Sequence, residues 1–373
     1  MRSSVKGHRS TRLSKSTTHK FGVDLVGVIH PDITKAETLP SNYYRDEIIH
    51  HKLMQKFASS WNFIGLESTL NEGDVVPVVV GDIPMLMTMK DNEINCVSNV
   101  CTHRGMILCD SIKNVSTIIC PYHGRTFSLC GKIKHMPKFE QVENFPARTD
   151  DLPEAKVATW HGLIFASLNL EDSFEAYISD IEERMSFVDF SNFARDDTLN
   201  REHHINANWM LYVDNYLEGF HIPYVHKGLN SVIDYSNYKT EVYHNSVLQI
   251  GYAVNGEECF TLPHGHTDHG KNVAAYYWWI FPNLMLNFYP WGLSINVVLP
   301  DGVSATKVMY YGMVGDSNKS GQGAGGDLDT VEHEDQWIVE ACNRGMKSKL
   351  YLRGRYSPSM EKGVHHFHRL LTD

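Results

Sequence analysis

The chain has 373 residues, of which 42% are hydrophobic, 21% charged and 11% aromatic, a composition that sustains sizeable packed cores and excludes a disordered or fibrous protein. Lys+Arg number 34 against 44 Asp+Glu, leaving a formal charge of -10, which repels a phosphate backbone and argues against a nucleic-acid partner. No apolar run approaches the roughly 18 residues a membrane-spanning helix needs, the densest being Val75–Val80 and Ala274–Phe281, so no membrane partner is expected.

Residues 1–20 hold six basic residues (Arg2, Lys6, Arg9, Arg12, Lys15, Lys20), no acid, and scattered Ser and Thr. Such a segment buries too little apolar surface to offset its ordering entropy, and residues 1–40 are expected to be a mobile basic arm. The alternative is an organellar transit peptide, Arg- and Ser-rich and poor in acids, which would place the protein in a matrix or stroma rather than the cytoplasm. Ile48, Ile49, Leu53, Phe57 and Trp61 keep the helical period, predicting a lead-in helix within 41–64. Short β-rich runs follow at Val75–Val80, Met85–Met89, Ile94–Val97, Ser116–Ile119, Lys156–Thr159 and Leu163–Leu168. Gly, Pro, Asn and Asp punctuate them, which predicts a small all-β domain over 65–168.

Residues 169–373 read as a second domain. Helices are predicted over Phe174–Phe187 and Trp209–Phe220, with a strand over 200–206 between them. Long antiparallel strands follow over Glu241–Val254, Ala274–Phe281, Leu284–Tyr289, Leu293–Leu299 and Ala305–Val314, then a Gly-rich loop over Asp316–Asp329 and a last long helix over Thr330–Met346. The loop lacks the G-K-[ST] ending of a phosphate-binding loop and is not read as nucleotide-binding.

The seven cysteines are odd in number and five fall between 96 and 130, which points to a reducing compartment and metal rather than disulfides. Cys101-Thr-His103-Arg-Gly105 and Cys120-Pro-Tyr-His123-Gly124 each offer one thiolate and one imidazole. A Rieske 2Fe–2S cluster requires that set, two cysteines on one iron and two histidines on the other. A structural zinc is the alternative, although zinc fingers usually group their cysteines and histidines instead of alternating them. Gly105 and Gly124 suit tight loops whose amides can donate to cluster sulfides. Cys96, Cys109 and Cys130 lack a matched histidine and are expected to be buried thiols.

A second constellation follows. Asp214, Glu218 and His221 stand four and three apart and would share a helix face, with Pro223 expected to end that helix and let His226 turn back. On the last long helix Asp335 precedes Val339 and Cys342 by four and seven residues, which aims its carboxylate along the buried stripe, Glu334 being the alternative acid. A buried carboxylate needs a partner, and a metal cation is the best one. His221, His226 and Asp335 on one face of an iron(II) would leave positions open, the facial triad of non-haem oxygenases. His264, His266 and His269 are read as a solvated loop, and His365, His366 and His368 as packing.

Over about residues 40–373 the chain resembles the α subunits of Rieske non-haem iron oxygenases, through the four Cys and His residues above and the Asp214–His226 segment. Within that family, Asp214–Asn230, Phe281–Asn287, Glu334-Asp335 with Cys342–Gly345, and His365–His368 look most like choline monooxygenases and related quaternary-ammonium enzymes. The resemblance implies an α+β fold, with an antiparallel β Rieske domain joined to a helix-grip (START-like) catalytic domain that has a long antiparallel sheet and a C-terminal helix. It implies a ring-shaped homotrimer in which the cluster of one subunit faces the mononuclear iron of the next. Glu218 would bridge the two centres by reaching His123 of the partner subunit, and Asn215 would lie beneath the iron. The cofactors implied are a 2Fe–2S cluster and a mononuclear Fe(II), with NAD(P)H acting through a ferredoxin or flavin reductase. O2 would hydroxylate a small organic substrate, a quaternary ammonium compound such as choline or a betaine, or alternatively an aromatic or other hydrophobic molecule. An electron carrier or ligand-binding protein without a second iron site is the reading from another class, against which Glu218, His221, His226 and Asp335 speak. Tyr276–Trp279, Phe281, Phe288, Tyr289 and Trp291 could supply cation–π contacts of about 0.5–2 kcal/mol each, or form sheet core.

Overall fold

The computed structural model describes residues 28–169 and 173–373, so residues 1–27 of the mobile arm expected over 1–40 lie outside the described residues; residues 28–40 instead pack on the protein, burying Ile29, Ala36 and Leu39 in a core and bonding the Thr38 amide to Gly354 O. Helix α1 (Glu47–Ala58) starts where the Asp46 carboxylate accepts the Ile48 and Ile49 amides, and it buries Ile49, Leu53, Met54 and Phe57. It ends short of the predicted boundary. Asn62 donates to the carbonyls of Phe57 and Ser60, which satisfies the helix end and turns the chain into a strand, Asn62–Leu66. Trp61, which continues the apolar spacing, packs edge-on against Phe174 at 5.0 Å instead.

Asn62–Leu66 is the edge of a seven-stranded antiparallel sheet. Its spatial order continues through Leu163–Ser167, Glu154–Trp160, Glu93–Ser98, Ile83–Lys90, Asp74–Val80 and Lys113–Asn114. A smaller sheet of Ile118–Ile119, Thr126–Phe127 and Ile133–His135 stands beside it. Helix α2 (Phe174–Arg184), capped by Ser173, leads into the second domain. There seven antiparallel strands run in the order Ala194–Ile205, Ala305–Val314, Gly292–Asp301, Leu284–Tyr289, Val273–Ile280, Ser246–Tyr252 and Lys239–Val242. The single strand predicted over Glu241–Val254 is a hairpin, closed by the Tyr243 amide on the Ser246 carbonyl at 2.9 Å.

This second sheet is covered on both faces. Trp279, Met285, Val298 and Val308 pack on Trp209 of helix α3 (Trp209–Tyr216) and on Phe367. Trp278, Leu286, Ile295 and Phe288 pack on Phe165, Phe174 and Ile178, the α2 side. Helices α4 (Ile222–Val225), α5 (Lys227–Val232), α6 (Leu328–Met346) and α7 (Lys362–Thr372) complete the layer over α3. Helix α7 lies beyond Thr330–Met346, the last helix read from periodicity; it buries His365 and His368, which pack as expected. No described helix is long and apolar enough to cross a membrane.

Candidate metal centres

The two Cys–His loops fold alike. The Cys101 amide donates to Met106 O at 2.8 Å and the Gly105 amide to Cys101 O at 3.0 Å; Cys120 to Arg125 O and Gly124 to Cys120 O repeat these bonds at 2.8 and 3.0 Å. Gly105 and Gly124 close the turns at φ 72° and 74°, where a side chain would be strained. Cys101 and Cys120 end up buried, and the rings of His103 and His123 face each other at 4.9 Å. His123 Nδ1 is buried without a hydrogen bond, and burial, aided by the sulfur of Cys120, pushes the Cys101 thiol up. Both costs vanish when a cation binds, so these residues fit the cluster. Arg125, 2% exposed, donates from Nη2 to Asp150 Oδ1 at 2.5 Å, and Thr102 donates to Asp150 O at 2.7 Å. Asp150 thereby clamps both loops, a role no local pattern announced. Of the remaining cysteines in this region, Cys96 and Cys109 are buried and Cys130 is half-buried.

The second centre departs from the predicted helix. Asn208 caps α3 through the Met210 amide, but the helix stops at Tyr216 and does not reach Phe220. Pro223 opens α4 instead of ending a helix, since its fixed φ and missing N–H suit a first turn. His221 and His226 therefore flank that short helix at its two ends. Asp214 does not join Glu218; it accepts from Tyr44 and pairs with His368, both at 2.8 Å.

His221 Nε2 lies 3.1 Å from His226 Nε2, and Asp335 Oδ1 lies 3.6 Å from His221 Nε2 and 3.0 Å from His226 Nε2. Bonds of about 2.1 Å place adjacent donors of an octahedral metal about 3 Å apart, so the three atoms fit one face of an iron(II). Each imidazole is anchored on its other nitrogen, His221 Nδ1 by Glu218 Oε1 at 2.8 Å and His226 Nδ1 by Glu334 Oε2 at 2.7 Å. Those carboxylates hold the Nδ1–H tautomer and leave the Nε2 lone pairs facing inward. Burial lowers the basicity of His226, but the hydrogen bonds and charges of Asp335 and Glu334 prevail and hold it above its ordinary value. Asn215 Nδ2 donates to Asp335 Oδ1 at 2.6 Å. Cys342, expected on the buried stripe, is exposed, and Asn343 is buried in its place beside Val339.

A cavity opens on the three donor atoms, walled by Tyr216, Tyr238, Tyr277, Tyr289 and Tyr310. Of the aromatics proposed from sequence, Tyr277 and Tyr289 line it, whereas Tyr276, Trp278, Trp279 and Phe288 are sheet core. Trp291 stacks on Tyr289 at 5.4 Å. Glu332, one turn before Asp335, was missed: its Oε2 accepts from the hydroxyls of Tyr212 and Tyr310 at 2.5 Å each. Burial, then the charge of Asp335, push its carboxyl up to about 7 against those phenols. The 264–269 loop is largely exposed, as expected, with His264 and His269 at the surface, but it is also pinned: His266 and His269 bond the carbonyls of Arg184 and Leu262, and Asp268 is fully buried against Arg184. Apolar side chains stay exposed near each centre, Met106, Ile107 and Tyr122 at the first and Phe220, Tyr224 and Trp337 at the second.

Two family models account for most of the chain. One described as the Rieske [2Fe-2S] domain matches residues 60–146, and one described as the catalytic domain of the ring hydroxylating alpha subunit matches 190–373. The chain belongs to the α subunits of Rieske non-haem iron oxygenases. Among curated relatives, it is 30% identical to the chloroplastic choline monooxygenase of Arabidopsis thaliana, over 97% of this chain and 90% of that protein. It is 28% identical to the carnitine monooxygenase oxygenase subunit of Escherichia coli (strain K12), over 91% and 94%. Its fold is shared with the quaternary ammonium Rieske monooxygenase CntA in complex with L-carnitine (TM-score 0.72, 22% identity, 90% of this chain and 95% of that one). It is shared also with naphthalene 1,2-dioxygenase from Rhodococcus sp. bound to indole (TM-score 0.69, 20% identity, 90% and 93%). The protein is thus an oxygenase of α+β fold with a Rieske 2Fe–2S domain and a non-haem iron catalytic domain, supplied with electrons by a reductase.

Proposed function

We propose that this oxygenase hydroxylates a small quaternary ammonium compound, choline or a betaine, with electrons passed from NAD(P)H through a ferredoxin or flavin reductase. Residues 65–168, with the strand at 62–66, form the electron-accepting domain, and residues 169–373 the catalytic one. Cys101, His103, Cys120 and His123 hold the cluster, and His221, His226 and Asp335 hold the iron. The observation that carries this reading is the convergence of three donor atoms within 3.6 Å of one another at the end of a tyrosine-walled cavity.

A bound iron(II) supplies the O2 activation that hydroxylation requires, and the cluster supplies electrons one at a time. The chain's own groups do the rest. Glu218 and Glu334 fix the imidazole tautomers, and Asn215 holds the Asp335 carboxylate by its Oδ1. The tyrosine faces exclude water and offer a methylated ammonium cation–π contacts of about 0.5–2 kcal/mol each.

The two exposed apolar patches support the head-to-tail homotrimer. Surface beside the cluster loops of one subunit would cover surface beside α4 and α6 of the next, a heterologous contact that closes into a ring. Glu218, partly exposed on the outer side of His221, would then reach His123 of the partner subunit. The reducing use of cysteine supports a cytoplasmic location, and the chloroplastic plant relatives support the stroma as the alternative. Reductase-coupled oxygen uptake across choline, carnitine, betaines and simple aromatics tests the substrate class. Uptake is expected with the ammonium compounds, and uptake with aromatics alone would shift the reading to an aromatic hydroxylase.

A further inference from the structure

The cavity contains an acid that the metal centre does not use. Glu332 lies three residues before Asp335 on α6, on the same helical face. Protein surrounds it, yet it keeps accessible surface and lines the cavity. Tyr212 and Tyr310 occupy its Oε2, while Oε1 makes no hydrogen bond to any described residue. Its carboxyl, ready to ionise beside a cation, thus lines the same cavity as the rings of Tyr216, Tyr238, Tyr277 and Tyr289.

The described lining includes no Lys or Arg. Arg201 lines an adjoining cavity that shares Glu332, but its guanidinium is taken by Asp329 and by the carbonyls of Thr198 and Asn200. A cation entering the cavity meets phenol faces and a carboxylate edge, which offsets the cost of burying both charges. A substrate carboxylate would lose its water with no basic side chain to pair with, beside an acid of like charge.

We infer that Glu332 recognises the onium charge of the substrate, and that the cavity takes a quaternary ammonium compound lacking a carboxylate, an onium alcohol such as choline, in preference to a zwitterionic betaine. This rests on the proposed function and narrows it.

The test is calorimetric binding to the cluster- and iron-loaded protein without reductant. The ligands are choline, tetramethylammonium, dimethylbutanol (the uncharged carbon isostere of choline), L-carnitine and glycine betaine. In the wild type, choline is expected to bind about ten-fold or more tightly than the isostere and than either zwitterion. Glu332→Gln keeps an oxygen for the two tyrosine hydroxyls. In that variant the preference for choline over its isostere is expected to fall to about three-fold or less, and KM for choline to rise with little change in kcat. Carnitine or betaine binding as tightly as choline would overturn the inference while leaving an oxygenase of quaternary ammonium compounds, and so would an unchanged preference in a normally loaded variant. Binding of a neutral aromatic with none of the onium compounds would overturn both. The wild-type comparison holds however the variant folds.

Discussion

Each histidine of the triad has a carboxylate on its outer nitrogen, and the two acids differ in what else they can reach. Among the described residues Glu334 serves only His226, whereas Glu218 also accepts the amides of Phe220 and His221. Glu218→Gln replaces one acceptor oxygen by a donor and removes the charge. Both metals are expected to load normally, while oxidation of the pre-reduced cluster by O2 with substrate present slows by about a hundred-fold or more. Stopped-flow absorbance reads this directly, and a wild-type rate would show that Glu218 couples nothing. Glu332 gives a second expectation. Its carboxyl moves from an ordinary 4.5 to about 7 in the folded protein. Between those values the folded state binds a proton that the unfolded state has released. Stability therefore falls as pH rises through this window, by on the order of 3 kcal/mol for so large a shift. Glu332→Gln lacks this dependence, so its Tm relative to wild type should rise from about pH 5 to about pH 8, and a constant difference would contradict the burial argument.

The break between α3 and α4 is what brings the two histidines together, and it is a tertiary product. Trp209 to Phe220 keeps an apolar period, and its local breaker, Gly219, stands three residues beyond the observed end at Tyr216, which is why the sequence reads as one helix to Phe220. The stop comes from elsewhere: a Cβ on Gly219 would lie 2.6 Å from the ring of Tyr238, and one on Gly363 of α7 would lie 2.4 Å from Leu217 O. Gly219→Ala is therefore expected to displace Tyr238 and the His221 segment at a cost of roughly 1–3 kcal/mol. The expected signature is reduced iron per chain with an intact Rieske spectrum, and full iron content would show that the close approach is unimportant. The same distinction sorts the rest of the site. The two Cys–His loops were legible because each places its donors, turn glycine and closing amides within a few consecutive residues. The strands Leu284–Tyr289 and Ala305–Val314 match their predicted bounds, as dense β-rich runs ended by turn residues. Glu332 and Arg125 were not legible, because their partners stand 120 and 25 residues away and nothing local marks them.

At the scale of the whole molecule, one chain carries both the two Cys–His loops and the His221–His226–Asp335 cluster, and each lies near exposed apolar side chains. If those surfaces meet between subunits, a charge placed in one should separate the ring while leaving each metal centre built. Trp337→Glu puts a carboxylate on a side chain that is 67% exposed in the single chain. The mass by light scattering is expected to fall from about three chains to one, with cluster and iron retained and reductase-coupled turnover lost. A trimer of unchanged mass would place the contact elsewhere. The central claim is that the chain holds two separate metal centres, the second formed by His221, His226 and Asp335. Iron and acid-labile sulfide analysis of the wild type and His226→Ala, read with the visible spectrum and substrate hydroxylation, tests it most directly. The wild type should hold about three irons and two sulfides per chain, and the variant about two irons, the same Rieske spectrum and no hydroxylated product. A variant that kept its third iron and hydroxylated substrate at the wild-type rate would contradict the account.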